Sequence, residues 1–450
     1  MISATQRPAL ARLVPAPAAL AVSGGLAGAA LTAIAWATSP FIVVGLLAGA
    51  LVVALTLQRP EIGVAVAFVL VPLSNLGLTG DPPWLLTSVW ALALLLLGLW
   101  RHPHDRPPPL ILAVVASVLA ALVTFVTGGG TPDGYPEVRA SVVGFLYFAA
   151  VALLIRTRRQ VEWALGGVVC VVLLVGLVAL EERFGGAPIT TGFFTPDGEL
   201  VGRVAAGFGH PNQLGGFLVL LLPFAVASVL LTPRLRFLAV PAVALGAYAV
   251  YASFSRSALI ALVAVPLAFL RPRVALLVTL LGVLAVLAAP GLVRERFATL
   301  TESGSEVTTR VDFWRTAAHI WEERPLLGAG LGQFPHAYSA AGDPGRAFLP
   351  NTLGEPPPHA HNLFLHALST QGLLGFLALL AVLASALAAA LRLRRRPSRE
   401  HAILGSAFLG GIAALLIHNQ FDVTLLEGTG MYFWALLGLL AACTAHLTES

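Results

Sequence analysis

The sequence predicts an all-α fold, a polytopic bundle of about 12–14 transmembrane helices in one integral membrane domain over residues 1–450. Of the 450 residues, 57% are hydrophobic and only 11% are charged, whereas a soluble domain carries about 25% charged residues. Charge-free stretches long enough to cross a bilayer recur along the whole chain. Because a soluble protein of this size could not bury so much apolar surface, lipid is the expected solvent.

Fourteen apolar segments define the predicted helices. They lie near 18–37, 41–57, 62–79, 84–100, 110–127, 139–155, 162–180, 212–232, 236–253, 257–270, 274–290, 361–391, 402–418 and 429–446. The first segment follows Arg7 and Arg12, as in a signal peptide. Its length and the many segments after it favour a first spanning helix.

The distribution of arginine predicts the orientation. All 27 basic residues are arginine, and most fall in alternate short connections, which the positive-inside rule assigns to the cytoplasm. Both termini are then cytoplasmic, and the long stretch 291–358 is an extracytoplasmic loop. The arginine excess therefore indicates orientation, and no nucleic-acid partner is expected. Cys170 and Cys443 lie in apolar segments and predict neither a disulfide nor a metal site.

Two arginines depart from the positive-inside rule and are candidate functional residues. Arg256 lies in a short turn, and a helix from there to Arg271 spans only roughly 22 Å of a hydrocarbon core of about 30 Å. Arg256 is therefore expected below the outer surface, facing protein or a watery cavity. Arg203 precedes a predicted helix start at Pro211 and Asn212, and arginine beside a helix N-terminus favours anion binding. A snorkelling Arg256 and a solvated Arg203 are the structural alternatives.

The long loop contains a predicted amphipathic helix over 309–323. Thr309 and Asp312 resemble a capping box. Val311, Trp314, Ala318 and Trp321 share one face, which is expected to lie at the membrane interface. The glycine-rich stretch 328–332 follows as a turn; no strand precedes it, so it is not a nucleotide-binding motif.

A histidine cluster opens the next apolar segment. His359, His361 and His366, with Asn362, stand at the predicted outer mouth of the bundle, and histidine is the natural general base near neutral pH. Metal binding is disfavoured, because residues two apart lie on nearly opposite faces of a helix and no carboxylate ligand is evident nearby. An interfacial polar cluster is the remaining alternative. Asp422 offers a carboxylate near the last outer turn. Orienting a histidine is one interpretation of it, and a solvated loop acid is the favoured one.

Together these residues favour glycosyl transfer. Arginines at membrane depth suit a lipid-borne phosphate or pyrophosphate, and a polyprenyl pyrophosphate is a good leaving group. A histidine beside them suits activation of a hydroxyl acceptor.

The motifs resemble those of the O-antigen ligase and polymerase superfamily of bacterial envelope enzymes. The resemblance rests on four stretches in order, 207–216, 254–257, 310–334 and 359–375, around one long outer loop. It implies an active site on the periplasmic face of the cytoplasmic membrane, an undecaprenyl-pyrophosphate-linked glycan donor, a lipid or glycan hydroxyl acceptor, and no metal or other cofactor.

The resemblance also implies roles for individual residues. Arg203 and Arg256 would hold the donor pyrophosphate, and His361 would deprotonate the acceptor hydroxyl. The predicted substrate-binding residues are His359, Asn362, Arg310, His210 and Asn212. The acceptor stays open among lipid A core, a glycan repeat and a protein.

Two other classes of function remain as alternatives. A transporter or flippase for a lipid-linked or anionic solute would place charged residues near the middle of the membrane, whereas here polar residues gather at the outer rim. A scaffold for polysaccharide assembly would tolerate substitution of His361.

Overall fold

The computed structural model describes residues 40–75, 84–105, 107–186, 191–194, 200–288, 306–341, 356–426 and 428–447. Its first helices are α1 (Pro40–Gln58), α2 (Pro60–Asn75), α3 (Trp84–Arg101), α4 (Leu110–Thr127), α5 (Tyr135–Leu154) and α6 (Arg158–Phe184). A short antiparallel hairpin follows, formed by β1 (Gly192–Phe194) and β2 (Leu200–Gly202).

The second half of the chain is also helical. Its elements are α7 (Pro211–Leu231), α8 (Arg236–Ala252), α9 (Arg256–Leu262), α10 (Ala264–Phe269), α11 (Pro272–Ala288), α12 (Glu306–Glu323), α13 (Phe334–Ala340), α14 (Leu363–Arg394), α15 (Arg399–His418) and α16 (Gly428–His446). Short 3-10 turns stand at Pro132–Gly134, Pro233–Leu235 and Thr424–Leu426.

The helices agree with an all-α polytopic membrane protein. Within the described residues, eight helices are long and apolar enough to span a membrane, namely α4 to α8 and α14 to α16, and several shorter apolar helices accompany them. The predicted first span 18–37 lies outside the described residues. Two compact units are distinguished, Met1–Arg59, in which α1 is described, and Pro60–Ser450, which holds the other elements.

Two predicted helices are interrupted. The apolar segment 257–270 divides into α9 and α10 at Val263, because the ring of Pro266 collides with the carbonyl four residues earlier. The segment 361–391 becomes α14, which begins at Leu363 and is kinked at Gly372, where φ is +60°.

The core of the larger unit forms where helices approach closely, as small residues allow in membrane proteins. α5 packs along α16, α6 along α8, and α7 along α15. A Cβ at Gly438 of α16 would lie 2.4 Å from the carbonyl oxygen of Phe148 on α5. The buried tyrosines are satisfied across these contacts: the Tyr147 hydroxyl donates to the carbonyl of Thr87 at 3.0 Å, and that of Tyr432 donates to Phe68.

The alternating helices give the larger unit two ends. The arginine end, defined by the start of α6, the start of α15 and the end of α14, is joined by ion pairs such as Arg158 to Glu400 at 3.2 Å. The opposite end, here the site end, holds the starts of α7 and α14, the end of α15 and the α8–α9 turn. All the candidate residues lie at the site end.

The glycine segment, Gly328–Gly332, docks onto the kink of α14. The amides of Ala329 and Gly330 donate to the carbonyls of Ser369 and Thr370 at 2.8 and 2.9 Å. In return the amide of Leu373 donates to the carbonyl of Pro325 at 2.8 Å. The segment is therefore a turn, as predicted, and it replaces the hydrogen bonds that α14 loses at its kink.

The loop helix α12 differs from its prediction in two respects. It begins at Glu306, so Thr309 lies inside the helix and the capping box is wrong. The face that packs on protein carries Ala317 and Ile320, which lie against Phe334 and Ala360. The interface position of Trp314 and its neighbours stays a prediction.

Candidate functional site

The histidine segment, His359–Asn362, is an irregular turn that leads into α14. Asn362 caps the helix, since its Oδ1 accepts hydrogen bonds from the amides of Phe364 and Leu365, both at 3.0 Å. Its Nδ2 donates to the carbonyl of Gln420 at 3.1 Å. The asparagine predicted to bind substrate thus holds the histidine segment against the end of α15.

The histidine segment meets Asp422, and the interpretation of Asp422 as a solvated loop acid is wrong. Its side chain is only 5% exposed. Oδ1 lies 3.6 Å from Nδ1 of His361 and 3.7 Å from Nε2 of His359. The sequence could not show this contact, because it depends on how the α15–α16 connection folds back over the start of α14.

Burial and charge act together on these groups. Burial alone would raise the pKa of the Asp422 carboxyl, but the nearby His361, His359 and His418 outweigh it and hold this pKa well below its usual value. Burial and the neighbouring His361 lower the pKa of His359 well below that of a free histidine. At neutral pH the site therefore combines an ionised carboxylate with a neutral His359.

The same three residues could hold a metal ion. Ligand atoms of His359, His361 and Asp422 lie within 4.8 Å of one another, which is compatible with nitrogen and oxygen coordination. The sequence argument against a metal is wrong in both its parts. A carboxylate is present, and the two histidines precede the helix, so helical spacing does not separate them.

An aromatic ring of the loop helix covers the histidine segment. Phe313 of α12 stacks on His361, with ring centroids 5.6 Å apart and planes inclined by 21°. The rings of His359 and His361 meet edge to face at 4.2 Å. The loop helix therefore forms one wall of the site.

Arg203 is buried and fixed by hydrogen bonds. It is 9% exposed; its Nε donates to the carbonyl of Ser253 and its Nη2 to Oδ1 of Asn212, both at 2.9 Å. The carboxylate of Glu182, a residue that the sequence did not single out, accepts hydrogen bonds from the amides of Ala205 and Ala206. Asn212 thus orients the guanidinium, and the solvated alternative for Arg203 is wrong.

Arg256 begins α9 immediately after the turn Ser253–Ser255. Its side chain is 7% exposed, which agrees with the expectation that it faces protein or a cavity. The turn depends on Phe254, a buried residue with φ of +47°. Arg203 donates a hydrogen bond to the Ser253 carbonyl in the same turn, so this one turn positions both Arg203 and Arg256.

The start of α7 connects the arginines to the histidine segment. His210 caps α7, as its Nδ1 accepts from the amide of Asn212 at 3.1 Å, and it acts electrostatically on His359. A Cβ at Gly216 would lie 2.8 Å from the ring of His418, which in turn interacts with Asp422 and with Arg310. The residues predicted from separate stretches of sequence therefore converge at one site.

A second buried polar pair lies beside the histidine segment. Nε2 of His366 is 3.9 Å from Oε2 of Glu137, and the other Glu137 oxygen accepts from the amide of Gly332 at 3.2 Å. Neither His366 nitrogen has a hydrogen bond within the described chain. Glu137 was missed from sequence, since it looks like any acidic residue in a helix's first turn.

Backbone strain marks the same places. Among the described residues, three non-glycine residues have positive φ: Ala206 at +48°, Phe254 at +47° and His361 at +50°. Each is, or lies within three residues of, one of the predicted catalytic residues Arg203, Arg256 and His361. Such strain is typical of functional sites held by their surroundings.

Comparison with known proteins gives a family match over part of the chain. No curated protein matched the chain. The family model of the O-antigen ligase matches residues 241–380, which include Arg256, Arg310 and the histidine segment, whereas Arg203 and Asp422 lie outside it. The match over residues 241–380 supports the resemblance of this part of the chain to the O-antigen ligase and polymerase superfamily.

Proposed function

We propose that the protein transfers a glycan from a polyprenyl-pyrophosphate carrier to a hydroxyl acceptor, with His361 as general base and Arg203 and Arg256 as the donor-binding residues. The observation that carries the proposal is that strained backbone occurs at His361 and within three residues of both Arg203 and Arg256. The family match supports a membrane glycosyltransferase of the O-antigen ligase type.

Each proposed role follows from the environment of the side chain. Two buried guanidiniums beside helix starts suit a pyrophosphate, which accepts bidentate, charge-assisted hydrogen bonds. Nδ1 of His361 faces Asp422, which leaves Nε2 for the acceptor hydroxyl. Asp422 would select this tautomer and stabilise the imidazolium that forms.

The proposed reaction is a single displacement. Nε2 of His361 takes the acceptor proton while the oxygen forms a bond to the anomeric carbon, and the bond from that carbon to the carrier's phosphate oxygen breaks. The electron pair leaves with the pyrophosphate, where the arginines offset the growing charge. Inversion at the anomeric carbon is expected.

The placement of the site favours an enzyme over a carrier. All the candidate residues described lie at one end of the bundle, and the arginine distribution of the sequence supports the assignment of this end to the periplasm. A transporter would need polar groups accessible from both faces.

The test is complementation of a knockout strain with wild type, Arg256→Gln, His361→Ala or the control His336→Ala. His336 is an exposed histidine at the same end, 66% exposed and paired with Asp133. Loss of high-molecular-weight envelope glycan from the first two variants, at normal membrane levels, is expected. Normal glycan from both would refute the proposed site.

A further inference from the structure

A large cavity at the arginine end takes no part in the site described above. It lies between α2, α6 and α8 and has a volume of about 1070 Å³. Its walls are mostly apolar and include Ile62, Val66, Val69, Val169, Leu235 and Leu238.

The depth of the cavity matches one leaflet of a bilayer. Along α6 the lining runs from Arg158 to Cys170, which is roughly 18 Å at about 1.5 Å per residue. Half of a hydrocarbon core of about 30 Å is about 15 Å. An acyl chain entering beside the arginines would therefore reach the cavity's inner end.

The mouth of the cavity carries an excess of positive charge. Arg158 is paired with Glu162 at 3.4 Å and Glu400 at 3.2 Å. Arg159 and Arg234 also line the mouth, and within the described chain neither has a hydrogen-bond or ion-pair partner. Unpaired arginines above an apolar cavity are complementary to an amphiphile with an anionic headgroup.

We propose that this cavity binds one anionic phospholipid from the leaflet at the arginine end. Arg159 and Arg234 bind the phosphate, and the acyl chains lie along α2 and α6. The proposal is independent of the transferase reaction, because none of these residues belongs to the candidate site.

The test is native mass spectrometry of the full-length protein after delipidation in mild detergent. Phosphatidylglycerol and phosphatidylcholine are added separately, and retained lipid is counted. We expect one retained phosphatidylglycerol, and about 10- to 30-fold weaker retention by the double variant Arg159→Gln/Arg234→Gln. The control Arg395→Gln, an exposed arginine at the same end, is expected to retain phosphatidylglycerol as wild type does.

A second variant occludes the cavity without removing charge. Gly166 lines it, and a Cβ there would meet only Leu235, at an ordinary 3.7 Å, so Gly166→Leu is expected to fold. The neighbouring Gly167 does not offer this, since its Cβ would lie 2.8 Å from the Ala65 carbonyl oxygen. Gly166→Leu is expected to lose the bound phosphatidylglycerol at normal protein yield.

Several results would overturn the proposal. Equal retention of phosphatidylcholine, or retention unaffected by the arginine substitutions, would mean an unselective apolar cleft. Displacement of the lipid by an equal concentration of soluble glycerol phosphate would assign the site to a soluble anion. If wild type retains no lipid but a variant that lacks residues 1–39 does, the cavity would be assigned to the predicted first span.

Discussion

The glycine segment and the histidine segment both abut α14 but differ in how their polar groups are satisfied. In the glycine segment, the amides of Ala329 and Gly330 pair with backbone carbonyls of the kinked helix. In the histidine segment, Nδ1 of His361 is buried 3.6 Å from its nearest acidic neighbour, without a hydrogen bond among the described residues. Paired backbone amides hold a shape, whereas an unpaired buried nitrogen is ready to accept or donate a proton.

The largest expected effect comes from breaking the glycine segment. A Cβ at Gly330, whose φ is +106°, would lie 2.5 Å from Cα of Gly128. Gly330→Val is expected to destabilise the fold by about 3 kcal/mol or more, through strain and steric overlap. Thermal unfolding and membrane yield measure this.

A control variant at Gly186 separates the cost of backbone strain from the cost of steric overlap. Gly186 has φ of +79° with nothing within 4 Å of its Cβ position. Gly186→Ala is expected to cost only about 1 kcal/mol. Equal stability of the two variants would contradict the close docking of the glycine segment.

The next largest effect is expected on the rate of catalysis, with the fold unchanged. Asp422→Asn keeps the size of the side chain but removes the charge that faces His361. We expect kcat to fall about 10²-fold with little change in KM, because the imidazolium loses its partner. The steady-state rate of glycan transfer measures this, and an unchanged kcat would remove Asp422 from the mechanism.

Much of the fold and of the candidate site could be predicted from the sequence, and there are physical reasons why the rest could not. Arg203, Arg256 and His361 stood out because polar residues in apolar surroundings demand an explanation. Asp422 and Glu137 did not, because their burial depends on distant segments folding over them. The face of α12 that packs on protein was missed because its Ala317 and Ile320 give a weaker hydrophobic pattern than Trp314 and Trp321, which define the predicted interface face.

Acid is expected to destabilise the histidine segment specifically. The pKa of His359 is lowered by burial, so the unfolded chain binds its proton first as pH falls below about 6.5. Its stabilising contribution is thus present above that pH and declines as pH falls toward the folded-state pKa. Asp422, whose pKa is also lowered, contributes in the same direction but at lower pH.

The measurement is thermal unfolding of wild type and His359→Gln between pH 7 and 5. Wild type is expected to lose more stability over this interval than the variant does. Parallel curves would show that His359 is not buried in its neutral form.

The smallest effect is expected at the aromatic wall. Phe313 stacks on His361 without a polar contact. Phe313→Leu keeps an apolar cover and is expected to lower the transfer rate only about two- to fivefold, by loosening the ring's orientation. A loss as large as that of Asp422→Asn would mean that Phe313 contacts substrate.

The most direct test is the initial rate of transfer by purified full-length protein in lipid, supplied with a polyprenyl-pyrophosphate-linked glycan and an acceptor. The rate is measured for wild type, His361→Ala and His336→Ala, each with and without EDTA. We expect His361→Ala to lose at least about 10²-fold, His336→Ala to match wild type, and EDTA to have no effect. Full activity of His361→Ala would contradict the account, and EDTA inactivation reversed by a divalent cation would assign His359, His361 and Asp422 to a metal instead.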